Sequence, residues 1–214
     1  MRQAQAGLAE LIGRTPVIPV LTIDDLELAV PLGKALVAGG LNVLEITLRT
    51  PVALQSMQRI AGEVEGAICG AGTVLNAMQL RAAELAKAQF AVSPGATSAL
   101  IAAAGQSPIP LLPGVATASE AMNLMEEGIL LQKFFPAEAS GGPEALAALS
   151  APLPMLRFCP TGGIDQAKAS AYLALGNVFA VGGSWMAPKV MIANQDWAEV
   201  TRLATAAAGL RDRG

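Results

Sequence analysis

The sequence predicts an α/β fold, a (β/α)8 TIM barrel with an additional N-terminal helix. Eight short apolar runs alternate with alanine-rich, helix-periodic segments, and successive runs start 19 to 26 residues apart. Strands that alternate with helices at this spacing are typical of βαβ units and a parallel sheet, and eight such units form a barrel. The predicted strands are Val17–Leu21, Val43–Leu48, Ala67–Gly70, Phe90–Ser93, Ile109–Leu112, Ile129–Phe134, Met155–Cys159 and Val178–Val181.

The segments around these runs complete the predicted architecture. Ala4–Ile12 belongs to an amphipathic stretch before the first strand, so we expect a leading helix that covers one end of the barrel. Between the strands, patterns such as DDLELAVPLGKALVAGG (24–40) predict helices. No linker or shift in composition marks a second domain, and residues 1–214 are therefore predicted to form a single (β/α)8 barrel domain.

A doubly wound sheet also alternates strands with helices and is the rival fold. Its dinucleotide-binding fingerprint requires a third glycine three positions after a GxG. The GAG at Gly70–Gly72 is followed by TVL, and the glycines of VGGSW (181–185) fail the same test. The barrel is therefore favoured.

Hydropathy and the positions of the prolines indicate whether the chain can form a membrane-spanning helix. Hydrophobic residues make up 53% of the chain and the mean hydropathy is +0.49, so the chain either enters a membrane or buries a large core. The longest uncharged stretch, Ala88–Ser119, is interrupted by prolines, and no helix of about 20 residues can run through it. The N-terminus does not resemble a signal peptide. We therefore expect a cytoplasmic protein with no membrane partner.

Charge, cysteine and histidine content exclude several further classes of function. The net charge is −3 and aromatic residues make up only 4% of the chain, so no basic or aromatic surface is predicted to hold nucleic acid. Two cysteines, Cys69 and Cys159, cannot form a disulfide framework and fit a reducing compartment. Because histidine is absent, histidine-based triads and histidine-ligated metal sites are excluded, and we predict no metal.

One lysine is embedded in a predicted strand. In the sixth strand Lys133 lies on the same face as Leu131 and Phe135, whereas in the second strand Glu45 shares a face with Arg49. If both faces point inward, an amine and a carboxylate converge near the C-terminal ends of the strands, where barrels place their catalytic residues. The other lysines differ from Lys133 in their surroundings. A solvated helix face is expected for three of them, which fall in helical patterns among polar neighbours: Lys34, Lys87 and Lys168. Lys189 falls in the loop after the last strand.

Such a pair has two interpretations. A lysine in a dry pocket holds its proton less tightly and provides the free amine that attacks ketones, and a nearby carboxylate can move the protons. The alternative is a structural ion pair that contributes little to stability. Spacing alone leaves both interpretations open.

The ends of the last two strands suggest an anion site. They carry FCPTGGI (158–164) and FAVGGSW (179–185). Barrels often bind phosphate through backbone N–H groups of these two loops, and glycines let the backbone approach the oxygens closely. Thr161 and Ser184 add hydroxyl donors. Phosphate binding is therefore predicted here.

Taken together, these stretches resemble the 2-keto-3-deoxy-6-phosphogluconate (KDPG) aldolase family, the class I aldolases of the Entner–Doudoroff pathway. The pairing of EITLR with KFFPAE is the most specific part of the resemblance, and the pieces occur in the order of the family. The matching pieces are GGLNVLEITLRT (39–50), GAGTVLN (70–76), SPG (93–95), IPLLPG (109–114), KFFPAEASGG (133–142), RFCPTGGI (157–164) and VGGSW (181–185).

The resemblance implies a mechanism. Lys133 would form a Schiff base with the C2 ketone of a phosphorylated keto acid, and Glu45 would act as the general acid and base. Cleavage between C3 and C4 would give pyruvate and glyceraldehyde 3-phosphate without a cofactor or a metal. The resemblance also implies a homotrimer. It further assigns Arg49 and Thr73 to the substrate carboxylate, Pro94 and Phe135 to the pyruvyl pocket, and Gly162, Gly163 and Ser184, with Thr161 and Gly183 beside them, to the phosphate.

The residue before the lysine departs from the family. The family usually carries an apolar or aromatic residue there, whereas this chain has Gln132. By strand alternation Gln132 points outward, toward the helices, so we expect it to affect packing more than chemistry. If it is buried, its amide needs hydrogen-bond partners.

Several alternatives stay open at this point. The chain could also act on 4-hydroxy-2-oxoglutarate, or it could prefer the galactonate epimer. It could be a phosphosugar epimerase with Glu45 as the base, or a non-catalytic phosphosugar-binding barrel. The intact set of Lys133, Glu45 and Arg49 argues against the binding barrel, and an epimerase would leave the strand lysine unexplained. Replacement of Lys133 separates an aldolase from a simple binding protein.

Overall fold

The computed structural model describes residues 2–12 and 15–210, with side chains described for 6–12 and 15–210. The first residue and the last four residues of the predicted domain, and residues 13–14, lie outside the described part. The helices are α1 Arg2–Ile12, α2 Ala29–Ala38, α3 Ala53–Glu63, α4 Ala77–Leu85, α5 Ser98–Ala104, α6 Ala118–Glu126, α7 Gly142–Ser150, α8 Gln166–Leu173, α9 Lys189–Ala193 and α10 Trp197–Ala208. The strands are β1 Val17–Leu21, β2 Val43–Thr47, β3 Ile68–Gly72, β4 Phe90–Val92, β5 Leu111–Leu112, β6 Gly114–Val115, β7 Leu131–Phe134, β8 Arg157–Pro160 and β9 Val181–Gly183.

The strands form a curled parallel sheet in two hydrogen-bonded pieces. One piece has six strands in the order β5-β4-β3-β2-β1-β9, and the other has three in the order β6-β7-β8. Isolated parallel bridges, Phe158 with Val178 and Thr161 with Gly182, connect β8 to the segment that contains β9. The predicted α/β class with a parallel sheet is confirmed, but the chain has these two pieces in place of the eight uniform strands that the sequence predicts.

The differences from the predicted strands have local causes. The fifth strand, predicted as Ile109–Leu112, is observed only as β5, Leu111–Leu112. A further short strand that was not predicted, β6, follows Pro113, which has no N–H group to donate to a ladder. The carbonyl of Pro113 accepts a hydrogen bond from the Lys133 N–H at 2.8 Å, so the chain changes its pairing partner at this point. The last strand was predicted at Val178–Val181, but its ladder with β1 begins only at Val181.

Two apolar clusters lie on the two faces of the curled sheet. The inner cluster includes Ile18, Val43 and Phe90, which come from the N-terminal halves of their strands, together with Leu8 and Ile12 of α1. The leading helix therefore covers the N-terminal end of the sheet, as predicted, and is two residues longer than expected. The outer cluster lies between the sheet and the helices. Only the C-terminal ends of the strands are left for polar chemistry.

Side-chain caps start several helices just beyond the strands. Asn76 accepts a hydrogen bond from the Gln79 N–H at 2.9 Å, and Thr117 forms a capping box with Glu120. A cap of this kind stabilises a helix by about 1 kcal/mol, so each one fixes where a loop at the C-terminal edge ends. Within the described ranges no helix is both long and apolar enough to span a bilayer.

Replacement of Gly39 tests the packing of α10 on α2. A Cβ at Gly39 would lie 2.4 Å from the Ala204 Cβ and 2.7 Å from the Thr201 carbonyl, so Gly39→Ala should destabilise the protein by about 1–3 kcal/mol. Gly62 in α3 has open space, and Gly62→Ala should stabilise the helix by about 0.5–1 kcal/mol. Urea unfolding of both variants is the measurement, and equal shifts in the same direction would contradict this packing.

Candidate active site

A buried ion pair lies at the centre of the C-terminal half of the sheet. The Nζ atom of Lys133 in β7 is 3.3 Å from Oε1 of Glu45 in β2. The two residues are only 4% and 3% exposed. Val43, on the same face of β2 as Glu45, belongs to the inner cluster, and Leu131 of β7 packs against that cluster. The predicted convergence of the amine and the carboxylate is therefore observed.

The neighbours of the pair leave the carboxylate little freedom. A Cβ at Gly72 would lie 2.4 Å from the Glu45 Oε1 and 2.9 Å from its Cδ, so the side chain of Glu45 lies against the bare backbone of β3. On the other side, the ring of Phe135 has its centroid 5.2 Å from the Lys133 Nζ. The geometry thus holds the carboxylate within hydrogen-bonding distance of the amine.

Cys159 lies beside Lys133 in the sheet register but is not a competing nucleophile. It is the β8 partner of Lys133 and is fully enclosed. Burial raises the pKa of its thiol to about 12. Because the thiolate is the reactive form, a thiol with so high a pKa is inert near neutral pH.

A cavity of about 270 Å³ opens at the C-terminal ends of the strands above this pair. Seven of the eleven residues that the sequence assigns to the site line it: Arg49, Phe135, Thr161, Gly162, Gly163, Gly183 and Ser184. Lys133 and Glu45 lie below it, and Phe135 connects the two regions because it lines the cavity and covers the lysine. Thr73 and Pro94 are not among the described residues that line it.

Backbone N–H groups are concentrated at one end of this cavity. Gly162 and Gly163 have φ angles of 104° and 78°, which residues with side chains rarely adopt. Within the described chain, the N–H groups of Gly162, Gly163, Ile164 and Ser184 donate to no protein acceptor. Consecutive free N–H groups in such a turn form a concave site for an anion. This end of the cavity can therefore hold a phosphate.

Arg49 and Thr73 meet at the rim of the cavity. The Nε atom of Arg49 donates to Oγ1 of Thr73 at 3.1 Å. Thr73 has a φ of 60°, a left-handed conformation that is unusual and strained for a β-branched residue. Strain of this kind is often found at ligand sites, and the fork of Arg49 suits a carboxylate. The two residues are together as predicted, and their role stays a prediction.

Pro94 lies against the strand that is next to the lysine strand. It follows β4, and a Cβ at Gly114 would lie 2.3 Å from the Pro94 carbonyl oxygen. Gly114 in turn pairs with Lys133 in the sheet register. Pro94 therefore contacts the strand next to the lysine strand, and its predicted contact with a pyruvyl group stays untested.

A cluster around Glu138, which the sequence did not indicate, holds the glycine loop. Glu138 accepts a hydrogen bond from the Tyr172 hydroxyl at 2.6 Å and pairs with Lys168 Nζ at 2.7 Å. Lys168 Nζ also donates to the Gly163 carbonyl at 3.2 Å, and the Glu138 N–H donates to the Gly162 carbonyl at 3.2 Å. Glu138 lies in the segment KFFPAEASGG (133–142), which carries the family resemblance. Its place in that segment is the feature of the sequence that could have indicated a role for it.

The pKa shifts in this cluster agree with its geometry. Hydrogen bonds from Lys168 and Tyr172 lower the pKa of Glu138. Burial, together with the bond to Glu138, raises the pKa of Tyr172. The bond to Glu138 raises the pKa of Lys168. Near neutral pH the cluster therefore consists of a carboxylate, an ammonium and a neutral phenol.

The other lysines differ partly from expectation. Lys34, on α2, is exposed as expected, but Lys87 follows α4 and has a φ of 64°. Lys168 is exposed on α8 as expected, but its ammonium also contacts the glycine loop. Lys189 is the first residue of α9 and not a loop residue. Lys133 is the one buried lysine of the described chain.

Gln132 points away from the site, as strand alternation predicts. Its Nε2 donates to the carbonyls of Ala121 and Ile129, each at 3.0 Å. Its Oε1 is buried and has no partner within the described residues, a condition that costs about 1–3 kcal/mol. The departure from the family pattern therefore affects the packing of α6 and not the cavity.

Comparison with known proteins gives the family. The family model described as "KDPG and KHG aldolase" matches residues 8–203. The chain is 48% identical over 204 residues to the KHG/KDPG aldolase of Escherichia coli (strain K12), covering 95% of this chain and 96% of that relative. The chain belongs to the KDPG and KHG aldolase family.

Solved structures of this aldolase family have the same fold. The KDPG aldolase from Legionella pneumophila, with pyruvate captured as a covalent carbinolamine intermediate, is 45% identical with a TM-score of 0.91, covering 96% of this chain and 98% of that one. The aldolase of Zymomonas mobilis ZM4 with 3-phosphoglycerate is 46% identical with a TM-score of 0.90, covering 95% of each chain.

Gly72→Ala tests the position of Glu45. The added methyl group would collide with the carboxylate, so we expect Glu45 to move away from Lys133 and aldol cleavage to slow on the order of 100-fold. Gly95, in the loop after β4, has open space, and Gly95→Ala is the matched control. Steady-state kinetics of purified, folded variants is the measurement. Equal activity of the two variants would show that the contact with Gly72 does not matter.

Glu138→Gln tests the cluster at the glycine loop. A neutral amide loses the charge-assisted bonds, so we expect a loss of about 1–2 kcal/mol in the free energy of unfolding near pH 7. Because the pKa of Glu138 is lowered in the folded state, its contribution is present above the ordinary carboxyl pKa and is lost as the pH falls through the lowered value. The stability difference from wild type should therefore shrink in acid.

Urea unfolding across this pH range measures the effect. Glu126→Gln on α6 is the control, because Glu126 makes no ion pair with a described residue. A difference for Glu138→Gln that stays constant with pH would contradict the lowered pKa.

Proposed function

We propose that this protein is a class I aldolase that cleaves 2-dehydro-3-deoxy-6-phosphogluconate to pyruvate and glyceraldehyde 3-phosphate. One observation carries the proposal: the buried Lys133 lies 3.3 Å from Glu45, below a cavity that ends in free backbone N–H groups. An amine, a proton acceptor and an anion site are the parts that this reaction needs. The family membership of the chain supports the same reaction.

The first step is the formation of the Schiff base. The ammonium of Lys133 transfers a proton to Glu45, with which it is already hydrogen-bonded, and becomes a nucleophile. The amine attacks C2 of the ketone and forms a carbinolamine. Glu45 returns a proton to the hydroxyl, which leaves as water, and the product is a protonated imine. The captured carbinolamine in the Legionella pneumophila relative is an intermediate of the same type.

Carbon–carbon cleavage follows from the imine. Removal of the proton from the C4 hydroxyl sends an electron pair into the C4–O bond, and the C3–C4 bond breaks. Its electrons move to the imine nitrogen and form an enamine of pyruvate, while glyceraldehyde 3-phosphate leaves. Protonation of C3 and hydrolysis then release pyruvate and regenerate Lys133. We assign the proton transfers to Glu45, directly or through water, because no other carboxylate of the described chain is in hydrogen-bonding contact with the amine.

The two ends of the substrate fit the two ends of the cavity. We assign the carboxylate to Arg49 and Thr73, and the pyruvyl group to Phe135 and Pro94. The phosphate is assigned to the glycine loops, with Gly162, Gly163, Gly183, Ser184 and Thr161 as its residues. The free N–H groups and the hydroxyl of Ser184 support this orientation, since they are donors and a phosphate offers acceptors.

Broader features of the proposal extend the family resemblance. We propose that the sheet pieces close into a (β/α)8 barrel with β5 and β6 as one strand, supported by the two bridges between β8 and the β9 segment. A single domain over 1–214, a homotrimer, a cytoplasmic location and a role in the Entner–Doudoroff pathway are proposed with it. The mechanism assigns every step to side chains and uses no cofactor or metal.

A second substrate is supported by the family description, which names KHG beside KDPG. We propose that 4-hydroxy-2-oxoglutarate is also cleaved, because its 2-keto group and 4-hydroxyl group can meet Lys133 and Glu45 in the same way. This substrate has no phosphate and so would leave the glycine loops unused.

Borohydride trapping with pyruvate tests the proposed function. We expect reduction to leave a stable adduct on the peptide that contains Lys133 and on no other lysine peptide, because Lys133 is the buried amine beside a carboxylate. Lys133→Met should abolish both the adduct and cleavage, whereas Lys34→Met, at an exposed helix position, should change neither.

A folded protein that binds phosphosugars but gives no adduct would contradict the aldolase. Turnover that borohydride with substrate does not block would favour the epimerase with Glu45 as its base. Binding without any turnover would favour the phosphosugar-binding barrel. Circular dichroism of each variant controls for the loss of the buried ion pair.

A further inference from the structure

Lys189 lies between two neighbouring cavities. It lines the 270 Å³ cavity together with the glycine loops, and it also lines a second cavity of about 230 Å³ beside Asp24 and Asp25. Its Nζ is 3.3 Å from the Asp24 Oδ2. The side chains of Lys189 and Asp24 are 75% and 64% exposed, so this ion pair is only weakly held. The ammonium is therefore able to turn from one cavity to the other.

A cation beside the backbone N–H groups would strengthen the binding of a phosphate at the anion end of the active-site cavity. Arg49 and Lys189 are the two cationic residues among those that line this cavity. Arg49 is bonded to Thr73. Lys168 is also near the glycine loop, but it already pairs with Glu138 and donates to the Gly163 carbonyl. Lys189 is thus the cation whose present partner is an exposed carboxylate on the rim.

We propose that Lys189 leaves Asp24 and binds the substrate phosphate, and that it makes the enzyme selective for the phosphorylated substrate. This inference rests on the proposed function, because it requires a phosphate in the glycine loops. The N–H groups of Gly162, Gly163 and Ser184 supply hydrogen bonds, and Lys189 supplies charge to a dianion. A phosphate competes better than Asp24 because it carries more charge and is also held by the N–H groups.

The inference predicts an effect confined to phosphorylated ligands. Lys189→Met removes the charge but keeps a side chain of similar length, so we expect KM for the phosphorylated substrate to rise roughly 3- to 10-fold with kcat nearly unchanged. KM for 4-hydroxy-2-oxoglutarate, which lacks phosphate, should stay the same. Inhibition by inorganic phosphate should weaken by a similar factor. Lys189→Arg should restore most of the lost selectivity, because it restores the charge.

Replacement of Asp24 should change KM in the direction opposite to the replacement of Lys189. Asp24→Asn removes the competing carboxylate, so we expect KM for the phosphorylated substrate to fall by about 2-fold, with no change for 4-hydroxy-2-oxoglutarate. Lys34→Met is the matched control, because Lys34 is another exposed lysine but lies on α2 outside this cavity. It should leave every constant unchanged.

The experiment is steady-state kinetics of the four variants with both substrates, with inorganic phosphate as inhibitor. If Lys189→Met changes KM for both substrates equally, or for neither, the phosphate contact is wrong. Borohydride trapping with pyruvate is run on the same proteins, since pyruvate carries no phosphate. An adduct on Lys133 together with unchanged selectivity overturns this inference alone, whereas the absence of an adduct in the wild type overturns the proposed function.

Discussion

The buried pair of Lys133 and Glu45 is the interaction on which the rest of the site depends. Removal of two charges from water costs several kcal/mol for each ion, and their attraction offsets this cost only when the geometry is good. At 3.3 Å, with both residues nearly inaccessible, the pair is better explained by chemistry than by stability. The surroundings of the pair hold this geometry. Gly72 leaves room for the Glu45 carboxylate, the Phe135 ring lies near the Lys133 ammonium, and the inner apolar cluster packs against the same strands.

The apolar packing and the cavity lie at opposite ends of the strands. Leu8 and Ile12 of α1 pack with inward-facing apolar residues of the strands in the inner cluster, which covers the N-terminal end of the sheet. The C-terminal ends carry the cavity, the glycine loops and Arg49. In the proposed mechanism substrate enters from this side, and its keto group meets Lys133 while its charged ends remain near the rim.

The alternation of strands and helices and the placing of the main site residues could be predicted from the sequence, because both depend on local patterns along the chain. Alternation along β2 and β7 predicted that Glu45 and Lys133 share the interior, and the structure confirms that geometry. The short strand β6 after Pro113 and the cluster around Glu138 were not predicted, because they depend on which strand or helix each residue meets across the sheet. Lys189 was misplaced for a similar reason: short helices such as α9 leave no clear periodic pattern.

Exchange of the methyl protons of pyruvate with deuterium tests the central claim most directly. This exchange requires an imine on Lys133 and a base that removes a proton from C3, and NMR follows it without cleavage or a second substrate. The proposed mechanism predicts exchange in the wild type, none with Lys133→Met, and exchange on the order of 100-fold or more slower with Glu45→Gln. Exchange at the wild-type rate with Glu45→Gln, or any exchange with Lys133→Met, would contradict it.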